Sequence, residues 1–147
     1  MASDTPYHAL VLEHNRHPRN FGPLAAFTHA ADGANVLCGD RLRVELAYRD
    51  GRIAALGFCG ESCAIAIASA SMMTELAPGC DATAIDALAD RFRALVEGKC
   101  EHDPALGPAN AFAELRRYAS RRKCALLPWA ALQAALAGAA TATTESP

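Results

Sequence analysis

The sequence lacks an excess of charge of either sign: its 147 residues include 14 Lys and Arg against 16 Asp and Glu, for a formal net charge of -2. Proteins that bind nucleic acid generally need a basic surface to neutralise phosphates, so we expect no nucleic-acid partner. The first ten residues also lack a cationic flank leading into an apolar stretch, which argues against a secretory signal. We therefore expect a cytoplasmic protein.

Long apolar runs are also scarce. The longest uncharged run, residues 124–144, contains Pro128, Gln133, Gly138 and three threonines, which indicates a helix of a soluble protein running into a polar tail, and no membrane span. Of the 76 hydrophobic residues, 34 are alanines, which leaves enough larger side chains for one core but too few for two. We predict one domain over residues 1–138 and a flexible Ala/Thr-rich tail over residues 139–147.

The hydrophobic pattern predicts a small sheet followed by helices. Residues 42–48 alternate between apolar and polar side chains, residues 50–51 (Asp-Gly) suit a tight turn, and residues 53–59 return as a second strand. Ser62 and Thr83 are the predicted N-caps of the two helices that follow. The predicted helices cover residues 7–15, 63–76, about 83–97, 111–119 and from about 124 onwards. The pattern is typical of an α+β fold in which an antiparallel sheet of about three strands packs against several helices.

Six cysteines are the remaining compositional signal. In a reducing compartment, cysteines favour metal or thiolate chemistry over disulfides. Cys38 precedes the first clear strand, and Gly39 allows the sharp turn that points Cys38 and Asp40 at one place. Cys63 and Cys124 are predicted to open two helices, where the helix dipole stabilises a thiolate.

Three thiolates and one carboxylate form a four-ligand set that suits Zn²⁺. The predicted ligands are Cys38, Asp40, Cys63 and Cys124. Together with zinc they carry a net charge of about -2, and the basic residues that could offset it are Arg121, Arg122 and Lys123. The spacing alone leaves open that a free cysteine is simply a small buried hydrophobic residue. We apply that interpretation to Cys80, Cys100 and Cys59, and we place Cys59 on the inner face of the sheet.

Four segments occur together in an order that is highly specific. They are residues 14–22 (HNRHPRNFG), 38–41 (CGDR), 63–73 (CAIAIASASMM) and 121–129 (RRKCALLPW). The set resembles the NifU N-terminal/IscU/SufU family of iron–sulfur cluster assembly proteins, over nearly the whole chain from Tyr7 to about Ala135. The resemblance implies that family's α+β fold and strengthens the prediction of the four metal ligands.

Within the family, the sequence resembles the SufU branch. IscU proteins carry a histidine immediately before the last cysteine, where this chain has Lys123, and the long segment from Cys63 to Cys124 is consistent with the SufU insertion. The resemblance implies a zinc protein that accepts persulfide sulfur from a SufS-type, PLP-dependent cysteine desulfurase and passes it on to downstream iron–sulfur assembly proteins. Cys38 is the expected sulfur acceptor, because a loop can move further than a helix N-terminus. Arg121 would steer docking or contact the persulfide loop.

Two alternatives use the same four residues. One is a scaffold that assembles and transfers a [2Fe–2S] cluster or binds iron, since thiolates suit iron as well as zinc. The other is a structural zinc module, in which the metal only stabilises the fold and no sulfur is transferred. Whether the chain counts as an enzyme stays open, because we expect a partner and activator of a desulfurase with no independent activity.

Overall fold

The computed structural model describes residues 9–145, and the chain forms four helices and four strands in that range. The helices are α1 (Ala9–Arg16), α2 (Ala64–Leu76), α3 (Ala82–Val96) and α4 (Ala119–Leu136). The strands are β1 (His29–Asn35), β2 (Asp40–Arg49), β3 (Arg52–Glu61) and β4 (Thr141–Ala142). Two 3₁₀ segments cover Val36–Cys38 and Pro104–Arg117. Across residues 9–145, none of the helices combines the length and the apolar character that crossing a bilayer would require.

The four strands form one sheet in the order β3-β2-β1-β4. The β2–β3 hairpin turns at Asp50 and Gly51, which adopt φ angles of 54° and 74°, as the sequence predicts. β1 lies antiparallel to β2, whereas β4 runs parallel to β1 and adds a strand to the predicted three. The predicted α+β class is confirmed.

The helices cover one face of this sheet. The inner side chains of β2 are Leu42, Val44 and Leu46, each at most 3% exposed. α2 is buried over nearly its whole length, as its small apolar residues predict, and α4 packs on both α2 and the sheet. In the core, the Trp129 ring of α4 stacks on Phe92 of α3 at a centroid distance of 5.4 Å. The core therefore fixes the position of α4 relative to the strands.

A β-bulge in β3 overturns the prediction for Cys59. Ala47 pairs with Ala55 and Tyr48 pairs with Ile53, so Ala54 is an extra residue in β3. Because side chains alternate along a strand, one extra residue exchanges the two faces of everything after it. Cys59 therefore lies opposite Arg43 and is half-buried, whereas Phe58 is buried on the inner face. Its predicted place inside the sheet is wrong.

Both predicted N-caps are wrong. Asp81, and not Thr83, caps α3, because its carboxylate accepts a hydrogen bond from the Ala84 N–H at 2.8 Å. The Ser62 hydroxyl instead accepts from the Arg41 N–H at 3.1 Å and so secures the strand end. Cys63 occupies the N-cap position of α2.

The last helix begins earlier than predicted. α4 starts at Ala119, so Cys124 lies beyond its first turn and not at its N-terminus. Residues 119–123 are mostly polar or charged and give no apolar periodicity, which is why the pattern became visible only at Cys124. The helix-terminus argument for the Cys124 thiolate is therefore wrong.

The segment before α4 also differs from the predicted loop and helix. Residues 104–117 form a 3₁₀ segment interrupted at Gly107, whose φ of 49° and ψ of -127° break it in two. Asn110 stabilises the break, since its side chain donates to the carbonyl oxygens of Asp103 and Gly107 at 2.8 and 2.9 Å.

The C-terminal end differs from the flexible tail that the composition predicted. Thr141 and Ala142 pair with β1 at Asp32 and Gly33, and residues 143–145 make further hydrogen bonds to the domain. An alanine- and threonine-rich composition is compatible with an added edge strand, because threonine is common in strands. A domain boundary at residue 138 stays a prediction; residues 1–8, which include Tyr7 of the first predicted helix, and residues 146–147 of the tail lie outside the described range.

Candidate metal centre

The four predicted ligands are held at one end of the sheet by four different elements. Cys38 ends the short 3₁₀ segment after β1, and Asp40 opens β2. Between them, Gly39 adopts a left-handed φ of 72° and donates its N–H to the Val36 carbonyl at 3.1 Å. Cys63 is the N-cap of α2, and Cys124 comes from α4.

Three of the four predicted ligands form a tight cluster. The Sγ atoms of Cys38 and Cys124 and a carboxylate oxygen of Asp40 all lie within 4.8 Å of one another. Cys63 is outside that group but contacts two of its members. Its thiol hydrogen-bonds with Cys124, and its backbone N–H donates to Asp40 Oδ1 at 3.0 Å. The structure thus brings all four residues together, and the ligand atoms of three of them lie within 4.8 Å of one another.

Asp40 shows that this donor set fits a cation. Its side chain is fully buried, and Oδ1 accepts the Cys63 N–H. The other oxygen, Oδ2, is buried and has no hydrogen-bond partner among residues 9–145. An unpaired buried carboxylate oxygen is costly unless a cation or a proton reaches it. A buried carboxylate with one free oxygen beside three thiols is a donor set that suits a divalent cation such as zinc or iron.

The pKa values of Cys63 and Cys124 are shifted in opposite directions. The Cys124 thiol, by donating a hydrogen bond, lowers the pKa of Cys63 to about 7, against the effect of burial, and the N–H groups of Ala66 and Ile65 at the start of α2 lower it further. The same hydrogen bond raises the pKa of Cys124, and burial and the Asp40 carboxylate raise it more. The helix-terminus effect predicted for Cys63 is therefore present. Without a metal, Cys63 therefore loses its proton more readily than Cys124 does.

Among the three predicted basic residues, Arg121 borders the site. Together with Ser120 it lines a cleft of about 240 Å³ whose other walls are Cys38, Cys63 and Cys124. Arg122 turns away, because its guanidinium donates to the carbonyl oxygens of Leu115, at 3.1 Å, and Arg116. Lys123 lies 4.0 Å from the Glu145 carboxylate. Arg121 is thus the residue placed to offset negative charge in the cleft.

The short 3₁₀ turn that carries Cys38 exposes apolar side chains next to the cleft. Cys38 is exposed, and the two residues before it, Val36 and Leu37, are 69% and 85% exposed. Large apolar side chains that project into solvent commonly mark a surface that another protein covers. The accessible thiol therefore sits in a surface suited to contact with a partner.

The other cysteines stay apart from this cluster. Cys80 and Cys100 pack against the core, and burial raises the pKa of Cys80. Cys59 borders a separate, shallow pocket of about 500 Å³ on the outer face of the sheet. Cys80 and Cys100 therefore fit the interpretation that a free cysteine is a small buried hydrophobic residue, whereas Cys59 does not.

Two neighbours of the site were missed by the sequence analysis. Ser120 lines the cleft, and its carbonyl lies 3.9 Å from Cys124 Sγ. Asn35 is fully buried and directly precedes the 3₁₀ turn Val36–Cys38, called the Cys38 turn below. Nothing in the sequence marks either residue, since their importance comes from contacts formed only in the fold.

The chain is similar to known proteins over most of its length. The model of the NifU-like N terminal domain family matches residues 6–140. The zinc-dependent sulfurtransferase SufU of Bacillus subtilis (strain 168) is 35% identical over 136 residues, which cover 91% of each chain. The iron–sulfur cluster assembly scaffold protein IscU of Streptococcus pyogenes serotype M1 is 34% identical over 139 residues, covering 92% of this chain and 86% of that protein.

The fold is also shared with solved structures. A proposed iron–sulfur cluster assembly scaffold protein for the SUF system from Fervidobacterium islandicum AW-1 superposes with a TM-score of 0.83 at 27% identity, covering 89% of this chain and 96% of that one. A hypothetical protein solved at 2.3 Å resolution gives a TM-score of 0.81 at 33% identity, with coverages of 89% and 96%. Both likenesses span nearly the full fold and support the predicted architecture.

Proposed function

Because this chain belongs to the family of NifU-like N terminal domains, we propose that it serves iron–sulfur cluster assembly in the cytoplasm as a zinc-dependent sulfur acceptor. Its sulfur would come from the persulfide of a SufS-type cysteine desulfurase and would pass to downstream assembly proteins. The observation that carries the proposal is the cluster of Cys38, Asp40 and Cys124, with Cys63 in contact and one Asp40 oxygen unpaired.

We propose zinc as the metal, with Cys38, Asp40, Cys63 and Cys124 as its ligands. When bound, zinc would supply a Lewis acid that keeps coordinating thiols deprotonated at neutral pH. Asp40 has a free oxygen to offer, Cys63 already has a lowered pKa, and the proton that Cys124 keeps would be released on binding.

Cys38 is the residue best placed to accept sulfur. Cys124 is 3% exposed and Cys63 is half-buried, whereas Cys38 is exposed at the end of a three-residue turn. Its thiolate would attack the outer sulfur of the desulfurase persulfide. The S–S bond of that persulfide then breaks, its electron pair leaves with the desulfurase cysteine as a thiolate, and Cys38 becomes the new persulfide. The exchange needs no added oxidant or reductant.

The surface around Cys38 supports docking of the desulfurase. The exposed side chains of Val36 and Leu37 would be buried at the contact, which is favourable for apolar groups. Arg121 at the cleft wall can attract the negatively charged persulfide as it approaches. The cleft and the turn beside it thus offer an acceptor thiol, exposed apolar side chains and a cation.

The test is to measure bound metal and desulfurase activation on one preparation. We expect the anaerobically purified protein to be colourless, to hold one equivalent of zinc and to accelerate alanine release by a SufS-type desulfurase several-fold. An iron-containing protein with visible absorption would overturn the proposal in favour of a [2Fe–2S] scaffold. Zinc without any acceleration would point instead to a structural zinc module.

Arg121→Ala should weaken the encounter with the desulfurase more than the sulfur transfer itself. Removing one cation from the cleft reduces electrostatic attraction, so we expect the protein concentration for half-maximal acceleration to rise several-fold with a similar maximal rate. Arg117→Ala is the matched control, because it removes an exposed arginine that does not line the cleft. Equal effects of both substitutions, or none from either, would remove Arg121 from the proposed docking surface.

A further inference from the structure

The C-terminal strap, which we define as residues 141–145, joins the two sides of the cysteine cluster. It begins as β4, which pairs in parallel with β1, and the Asp32 N–H donates to the Ala140 carbonyl at 2.9 Å. It then passes the end of β1, where the Cys38 turn starts, and reaches Lys123 of α4. The strap therefore contacts the elements that carry Cys38 and Cys124.

The side chain of Asn35 hydrogen-bonds both to the strap and to α4. Its side-chain amide donates to the Thr144 hydroxyl at 2.8 Å and to the Lys123 carbonyl at 3.3 Å. Its side-chain oxygen accepts from the Thr143 hydroxyl and from the Thr144 N–H, both at 2.9 Å. Two donated and two accepted bonds use the full hydrogen-bonding capacity of an asparagine amide. The side chain of the fully buried Asn35 is thus held by the strap and by α4.

The strap also bonds to the residue before each of two predicted ligands. Glu145 accepts the Leu37 N–H at 2.9 Å, directly before Cys38. The Thr144 hydroxyl donates to the Lys123 carbonyl at 2.6 Å, directly before Cys124. The Glu145 carboxylate lies 4.0 Å from the Lys123 ammonium, and this ion pair is a further contact between the strap and α4.

We propose that the C-terminal strap positions Cys38 against Cys124, with Glu145 and Thr144 as the positioning residues. The exposed Cys38 turn is closed from within by a backbone hydrogen bond from the Gly39 N–H to the Val36 carbonyl. The Glu145 bond to Leu37 adds an anchor from outside the turn. Weakening the strap would let Cys38 leave the cluster more often. This consequence for metal retention rests on the proposed function, whereas the anchoring of Leu37 does not.

The anchoring can be tested in the full-length, metal-free chain by hydrogen exchange of the Leu37 amide. Glu145→Ala removes the acceptor, so Leu37 exchange should accelerate by about tenfold or more, because an exposed amide then has no protecting partner. Glu145→Gln keeps an acceptor oxygen and should preserve most of the protection. Glu101→Ala, which removes an exposed glutamate elsewhere, should have no effect. Unchanged exchange of the Val44 amide in β2 would show that the fold is intact.

Positioning is tested by the transfer of zinc from the loaded chain to a chelator. Glu145→Ala and Thr144→Val should each speed transfer several-fold, whereas Thr144→Ser, which keeps the hydroxyl, should restore the native rate. The proposal is overturned if Leu37 exchange is unchanged in Glu145→Ala, or if it accelerates while zinc transfer does not. A chain that binds no zinc would refute the proposed function, and Leu37 exchange would still decide whether the strap anchors the turn.

Discussion

Cys38→Ala should abolish the acceleration of a SufS-type desulfurase while the chain stays folded. The side chain is exposed at the end of a surface turn, so its removal leaves no cavity in the core. The acceptor sulfur is lost, however, and with it the exchange that regenerates the desulfurase thiolate. The measurement is the rate of alanine release with native and variant protein, together with mass spectrometry of the native chain after reaction, which should show one added sulfur on Cys38.

The matched control for this experiment is Cys59→Ala. Cys59 is also accessible, but it lies on the outer face of the sheet, apart from the metal cluster. We expect this variant to retain full acceleration and to gain its added sulfur on Cys38. Full acceleration by Cys38→Ala, or a persulfide that forms on Cys59 in the native chain, would assign the acceptor role elsewhere.

Asp40→Ala should weaken zinc binding by about 100-fold or more, because even residues that only orient a metal ligand cost up to about that much when removed. A second variant, Asp40→Asn, tests the stability of the metal-free chain. Asp40→Asn keeps an oxygen for the Cys63 N–H and removes a buried negative charge whose other oxygen has no partner, so its metal-free stability should equal or exceed that of the native chain. Competition with a coloured chelator measures affinity, and thermal unfolding with and without zinc measures stability.

The control for Asp40 is Asp90→Asn, which changes an exposed aspartate on α3. This variant should bind zinc as the native chain does. If Asp40→Asn bound zinc equally well, Asp40 would not be a ligand. If both Asp40 variants failed to fold even with zinc present, the centre would be a structural zinc module, and the proposal of an acceptor site would fail.

Much of the fold is encoded in local patterns that the sequence shows directly. The β2–β3 hairpin follows from alternation and from an Asp50-Gly51 turn, and the burial of α2 follows from its small apolar residues. The Cys38-Gly39-Asp40 turn is similarly local, because a left-handed glycine lets two neighbouring side chains approach one point.

The errors arise where local patterns carry no information. The position of Cys59 depends on one unpaired residue, Ala54, and nothing in the β3 sequence marks it as a bulge. The sequence pattern predicts too late a start for α4, because the first residues of this helix face solvent and show no apolar period. The strap depends on hydrogen bonds between residues more than 100 positions apart, such as Leu37 and Glu145, for which the sequence gives no pattern.

The bulge at Ala54 also determines where the hairpin can change length. The turn at residues 50–51 lies at the surface, and surface turns accept insertions at modest cost. We expect the number of residues between Ala54 and Cys63 to be fixed. Adding or losing one residue in β3 would turn the Phe58 side chain to the outer face and would change the direction in which the chain enters α2. We therefore expect length variation to be tolerated at the tip of this hairpin and excluded along the strand that places Cys63 beside the other predicted ligands.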